Sequence, residues 1–189
     1  MGWFDMRCMR ALLAGVSLLM LTIGSGAAIA PVRAAQSTPI ASPVAAASVE
    51  FLGLVKTPGA VSVADLQALP QETVTVTYES GGTPEEHTFT GVRLFAALAQ
   101  VGFDIDPEAR NPLLTMYVVI TANDGYQVVL SGGELDPNFG DAPILLAWEQ
   151  DGAALEGENG PLRLVVPGDL RGGRYVHGVV SIDVRALAE

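Results

Sequence analysis

The sequence predicts an α+β domain that is mostly β. Short runs of β-branched and aromatic residues alternate at period two, and Gly, Pro and Asn-Asp-Gly segments close them at short intervals. Only two stretches carry helical spacing, too few for a parallel array of strand–helix–strand units.

The first fifth of the chain is not domain-like. Arg7 and Arg10 precede an apolar run over residues 11–23, and small residues continue to Ala35, the layout of a secretory signal. Residues 1–34 are therefore expected to be a signal peptide cut after Ala34 or, less well, after Ala30. Uncut, the run is long enough, at about 20 apolar residues, to serve as an N-terminal membrane anchor. Residues 35–48 (AQSTPIASPVAAAS) have no charge and no periodicity and read as an Ala/Ser/Pro linker. The domain is expected over residues 49–189.

Within it, VEFLGLV from Val49 reads as a strand, Thr57-Pro58-Gly59 as a turn, and a small helix starts near Ser62 and stops at Pro70. Thr73–Tyr78 alternates β-branched residues, and Gly81-Gly82 returns it into Thr88-Phe89-Thr90, a hairpin. In VRLFAALAQVG the spacing predicts a helix with Val92, Phe95, Leu98 and Ala99 on one face and Gly102 at its C-terminal cap. Asn123-Asp124-Gly125 joins Met116–Thr121 to Tyr126–Leu130 in a second hairpin. Ile144–Trp148, Leu162–Val166 and Val179–Val184 supply further strands, and no internal repeat appears.

The chain holds 10 basic and 21 acidic residues; without Arg7, Arg10, Arg33 and Asp5 the mature part keeps 7 and 20, a net charge of −13. Such a charge argues against nucleic acid as a partner. The single cysteine, Cys8, lies in the signal, so disulfides, iron–sulfur clusters and thiolate metal ligands are excluded from the mature domain.

Four of the seven mature basic residues, Arg163, Arg171, Arg174 and Arg185, fall between positions 163 and 185. Arginine forks beside flexible glycines suit a small anion, with Arg171 and Arg174 as its candidate ligands. Arg163 alternates with Leu162 and Leu164, the pattern of a side chain facing solvent from a strand. His87 and His177, the only histidines, show no metal-ligand spacing and read as structural or surface residues. Asp124 is explained by turn chemistry. The acidic groups Asp104–Glu108 and Glu134–Asp141 lack regular calcium-loop spacing and read as solvated loops. Ser131 and Ser181 lack the setting of an elbow nucleophile.

Taken in order, FTGVRLFAAL, Asp124-Gly125-Tyr126, ILLAWEQDGAAL and GPLRLVVPGDLRGGRYVHGVVSIDV resemble the molybdopterin-binding domain of sulfite-oxidase-type oxidoreductases over roughly residues 50–186. The resemblance implies a compact fold of twisted mixed sheets with a few short helices. It also implies a cofactor held by backbone amides and basic side chains in the glycine-rich stretch, here Arg171, Gly172, Gly173, Arg174 and His177. His177 stands where the family usually has lysine, and Gly178 where it usually has tryptophan. The family's molybdenum-ligating cysteine follows a TVT-like strand, and none is found around Val76, Thr77 and Tyr78 or after them. Export of a preloaded cofactor protein reads two adjacent arginines, whereas Arg7 and Arg10 are separated by Cys8 and Met9.

The expectation is an extracytoplasmic, non-catalytic binding or interaction module on this fold, with no retained cofactor. Its partner would be a small anionic ligand or an extracytoplasmic protein, and its membrane contact only an uncleaved N-terminal segment. The competing expectation is a molybdopterin-dependent oxidoreductase that holds its cofactor without a protein thiolate.

Overall fold

A computed structural model of the chain describes residues 47–106 and 108–187. The signal segment and the linker up to residue 46 lie outside the described residues, and Ser48 already opens the first strand. Among the described residues no helix is long and apolar enough to cross a membrane.

Among the described residues ten strands form two sheets. In the first, β1 (Ser48–Gly53), β2 (Gly59–Ser62), β5 (Met116–Ala122), β6 (Gln127–Ser131) and β10 (Val179–Ala186) stand in the order β2-β1-β10-β5-β6. Only β1 and β10 run parallel; the other pairs are antiparallel. In the second, β3 (Gln71–Ser80), β4 (Thr83–Arg93) and β7 (Leu145–Gln150) are consecutive neighbours. The far edge of β7 is shared by β8 (Ala153–Ala154) and β9 (Arg163–Val165). Both expected hairpins form and the fold is mostly β, as the alternating runs predict; among the described residues there are three short α-helices, one more than the sequence suggests.

Helix α1 (Val63–Gln67) is capped by the Ser62 hydroxyl, which accepts from the Asp65 amide at 3.1 Å. Helix α2 (Leu94–Val101) ends where Gly102 takes φ 72° and its N–H reaches the Leu98 carbonyl at 2.9 Å. Its buried face is Leu94, Ala97, Leu98 and Val101, and Ala99 is exposed, so the face is turned from the one the sequence suggests. The reason is that Val92 belongs to β4, and the helical count begins two residues later. Helix α3 (Gly132–Leu135) and the short strands β2 and β8 have too few residues to register as periodicity.

The main core draws on both sheets and on α1 and α2, with Phe51, Leu66, Leu98, Ile120, Leu146 and Ile182 among its fully buried side chains. A second, smaller cluster lies on the other face of the second sheet and contains Val76, Tyr78, Phe89, Leu145, Ala147, Val165 and Tyr175. Alternation explains the division: Leu146 and Leu164 turn to the main core, while their neighbours Leu145 and Val165 turn to the small cluster. A sheet covered on both faces reads as near-continuous apolar sequence, as PLRLVV does.

Candidate functional site: a buried arginine beneath a polar cleft

The second face of the β3-β4-β7-β9 sheet carries the site. Tyr78 on β3, His87 and Phe89 on β4, and Arg163 on β9 all project from it, and the segment after β9 returns over it through Tyr175. Tyr78 and Tyr175 stack with ring centroids 4.2 Å apart. Gly172 lets the backbone pass over this pair, since a Cβ there would lie 3.1 Å from the Tyr78 ring.

A β-bulge aims one more side chain at the same place. Gly91 faces Ala147, but the preceding pair is Thr90 with Glu149, so β7 holds one extra residue. The extra residue reverses the alternation, and Gln150 comes to the face of Ala147 rather than that of Trp148. Gln150 Oε1 there accepts from Arg163 Nη1 at 2.8 Å.

Arg163 is 5 % exposed. Its guanidinium carbon stands 5.0 Å from the Phe89 ring centre and 6.0 Å from that of Tyr175. Nη2 donates to the Tyr78 hydroxyl at 3.1 Å, and the buried Nε has no hydrogen-bond partner. Among the described residues no carboxylate lies within 4.0 Å of it. The expectation that Arg163 faces solvent is thereby corrected: its strand has a second buried face, and the side chain lies on that face. A buried guanidinium paired only with neutral groups retains an unmet demand for negative charge.

Above it opens a cleft of about 570 Å³, lined by mostly polar side chains including Tyr78, Glu85, His87, Gln150, Glu156 and His177. A second hollow of about 440 Å³ shares Tyr78, Ser80, Arg163 and His177 with it and is bounded by Arg171, Gly172 and Gly173. His87 Nδ1 donates to Asp151 Oδ2 at 2.7 Å, Gln150 Nε2 lies 3.1 Å from the same nitrogen, and His87 Nε2 stands 3.5 Å from Glu85. Asp151 is itself fixed by the Thr88 amide at 2.8 Å, and that bond, with His87, holds its carboxyl below the usual carboxylate range. Partial burial, and then the Arg163 charge, hold the His177 imidazole below its ordinary pKa. Burial pushes Tyr175 up to about 12 and raises Tyr78 as well.

Of the residues singled out from the sequence, Arg171, Gly172, Gly173 and His177 gather at the second hollow. Arg171 extends into solvent, its side chain 80 % exposed and 3.8 Å from Glu79. Arg174 has a different place. Its Nε and Nη2 donate to the Asp169 carboxylate at 2.8 and 2.6 Å and Nη1 to Glu134 at 3.1 Å, bonds that hold its pKa above the ordinary value and leave the charge matched twice over. The two histidines, which showed no relation in sequence, line one cleft. Asp124 Oδ1 accepts from the Tyr126 amide at 2.8 Å in the tight turn, in keeping with its turn reading. Among the described residues no group of three His, Cys, Asp or Glu is placed to hold a metal.

For a molybdopterin-type group the fit is partial. The Arg163 guanidinium, which has no carboxylate partner among the described residues, and the glycine cradle over Tyr78 suit an anionic, hydrogen-bonding group. The position suited to a metal-ligating thiolate has none to offer, because Cys8 is the one cysteine in the sequence. Gly178, at φ 57°, takes a left-handed backbone that disfavours the family's tryptophan, and a Cβ there would require the Asn123 side chain to move.

Among curated proteins no similar sequence is found. Among solved structures the sulfane dehydrogenase SoxCD of Paracoccus pantotrophus is similar, with a TM-score of 0.59 and 23% identity. The match covers 75% of this chain and 39% of that one, so the chain spans about two fifths of that protein's length. The likeness shows the fold, a sulfite-oxidase-type arrangement of mixed sheets. The model of the oxidoreductase molybdopterin-binding domain matches residues 36–188, nearly all of the sequence beyond the apolar N-terminal run, and the chain belongs to that family.

Proposed function

We propose that this protein is an extracytoplasmic, non-catalytic binding module that uses the family's fold to hold a small anionic ligand. The observation that carries the reading is Arg163: a buried guanidinium hydrogen-bonded only to neutral groups, with no carboxylate partner among the described residues, at the floor of a polar cleft. Binding of an anion there supplies the charge that Gln150 and Tyr78 cannot. The non-catalytic reading rests on the absence of any cysteine after position 8. The extracytoplasmic reading rests on the signal layout of residues 1–34. The separated Arg7 and Arg10 suit export of an unfolded, unloaded chain.

A second reading compatible with the family is an oxidoreductase that keeps molybdopterin without a protein thiolate, with Arg163 and the backbone at Gly172 and Gly173 holding the cofactor. That group would supply two-electron redox chemistry when bound. One experiment separates the two: molybdenum analysis, with a fluorescence assay for oxidised pterin, on the mature protein from its own host. Absence of both in folded protein is the expected result. Stoichiometric molybdenum with pterin would overturn the non-catalytic reading.

A further inference from the structure

The cleft contains both signs of charge, and they do not neutralise each other. Arg163 forms the floor, 5 % exposed, its guanidinium bonded only to the neutral Gln150 and Tyr78. Glu85 and Glu156 line the same cleft, and among the described residues neither has a lysine or arginine within 4.0 Å. Glu85 faces Tyr78 directly in the β3–β4 register, and the Tyr78 hydroxyl accepts from Arg163. The phenol thus stands between the guanidinium and the carboxylate, with its own proton left to donate.

A simple anion on Arg163 satisfies the guanidinium but is repelled by two carboxylates in the same hollow. A simple amine satisfies Glu85 or Glu156 but leaves Arg163 bare in a buried site, the costlier of the two omissions. A divalent anion such as sulfate is attracted more strongly by Arg163 but also repelled more strongly by both carboxylates, so it binds there only weakly. A ligand that carries one charge of each sign satisfies both ends at once. Its polar ends also match the mostly polar lining of the cleft.

We propose that the cleft binds a small zwitterion, with its carboxylate or sulfonate on Arg163 and Tyr78 and its protonated amine between Glu85 and Glu156. This rests on the anion-binding reading above and narrows it to amino-carboxylates and amino-sulfonates. Glu85 and Glu156 are its specificity-determining residues, and they act through charge.

Titration calorimetry on the full chain tests this with taurine and β-alanine against their single-charge counterparts ethanesulfonate, propionate and ethylamine. The zwitterions are expected to bind at least about tenfold tighter than each counterpart, equivalent to about 1.4 kcal/mol. In the double variant Glu85→Gln, Glu156→Gln that advantage disappears, while ethanesulfonate binds as well as before or better. Arg163→Met abolishes binding of zwitterion and anion alike, with circular dichroism reporting that it is folded. Ethanesulfonate binding as tightly as taurine, or a taurine advantage that survives the double variant, overturns the zwitterion and leaves the anion site standing. Binding of none of these probes, nor of sulfate, to folded protein overturns both.

Discussion

Arg163 rests its guanidinium 5.0 Å from the Phe89 ring centre, on the face of the sheet turned away from the main core. The arrangement keeps a charge buried by packing its stem and plane against an aromatic ring while its nitrogens reach Gln150 and Tyr78. Replacement of an incompletely paired buried charge by an apolar side chain of similar volume is often neutral for stability. Arg163→Met is therefore expected to stay within about 1 kcal/mol of the parent, because the freed Tyr78 and Gln150 groups line a cleft that water reaches. Arg163→Ala also loses the contacts of the stem and is expected to cost about 2 kcal/mol. Urea unfolding with and without sulfate checks both. The parent gains stability from sulfate and neither variant does; a gain that survives in Arg163→Met places the anion elsewhere.

The bulge that re-aims Gln150 depends on a bare backbone at Gly91. A Cβ there would stand 2.4 Å from the Leu146 carbonyl oxygen and 2.6 Å from the Ala147 Cα, both main-chain atoms that cannot swing aside. Gly91→Val is expected to destabilise by about 3 kcal/mol, in the range of overpacking against a fixed neighbour. It is also expected to weaken sulfate binding, because β7 and with it Gln150 shift away from Arg163. A variant that keeps both the unfolding midpoint and the sulfate response would contradict this close approach.

Much of the fold was legible because its signals are local. Asn123-Asp124-Gly125 and Gly81-Gly82 mark hairpins that close within a few residues, and Gly102 marks a helix end by its positive φ. The site was less legible because its parts come from distant segments. Arg163, Gln150, Tyr78 and His87 meet only when β9, β7, β3 and β4 pair, and no spacing in the sequence encodes that meeting. One signal was present: an arginine inside the apolar run PLRLVV implies a strand buried on both faces, and hence a buried charge. Glycine-rich sequence drew attention to Arg174, yet local carboxylates already match its charge.

Arg174 is thus expected to act on loop order. It ties Asp169, five residues earlier in the loop, to Glu134 on α3. The group is about one-third exposed, so its ion pairs are screened, and Arg174→Ala is expected to cost about 1 kcal/mol. Sulfate affinity should change less than threefold, whereas hydrogen exchange at Asp169–Tyr175 should rise. Loss of sulfate binding equal to that in Arg163→Met would restore Arg174 as a direct anion ligand.

His177 lies at the rim of both hollows, and its pKa is lowered first by burial and then by Arg163. The sign follows from linkage. Above the ordinary histidine value, near 6.5, folded and unfolded chains both carry neutral His177 and its contribution to stability is complete. As the pH falls below that value the unfolded chain takes up the proton first, so stability declines until the lower folded pKa is passed. NMR titration of the folded protein is expected to give a His177 midpoint below 6.5. Arg163→Met should raise that midpoint by removing the neighbouring positive charge, and saturating sulfate should raise it in the parent by neutralising the same charge. A midpoint unmoved by either change would mean that Arg163 does not act on the rim of the cleft, and the anion would have to be sought beside Arg171.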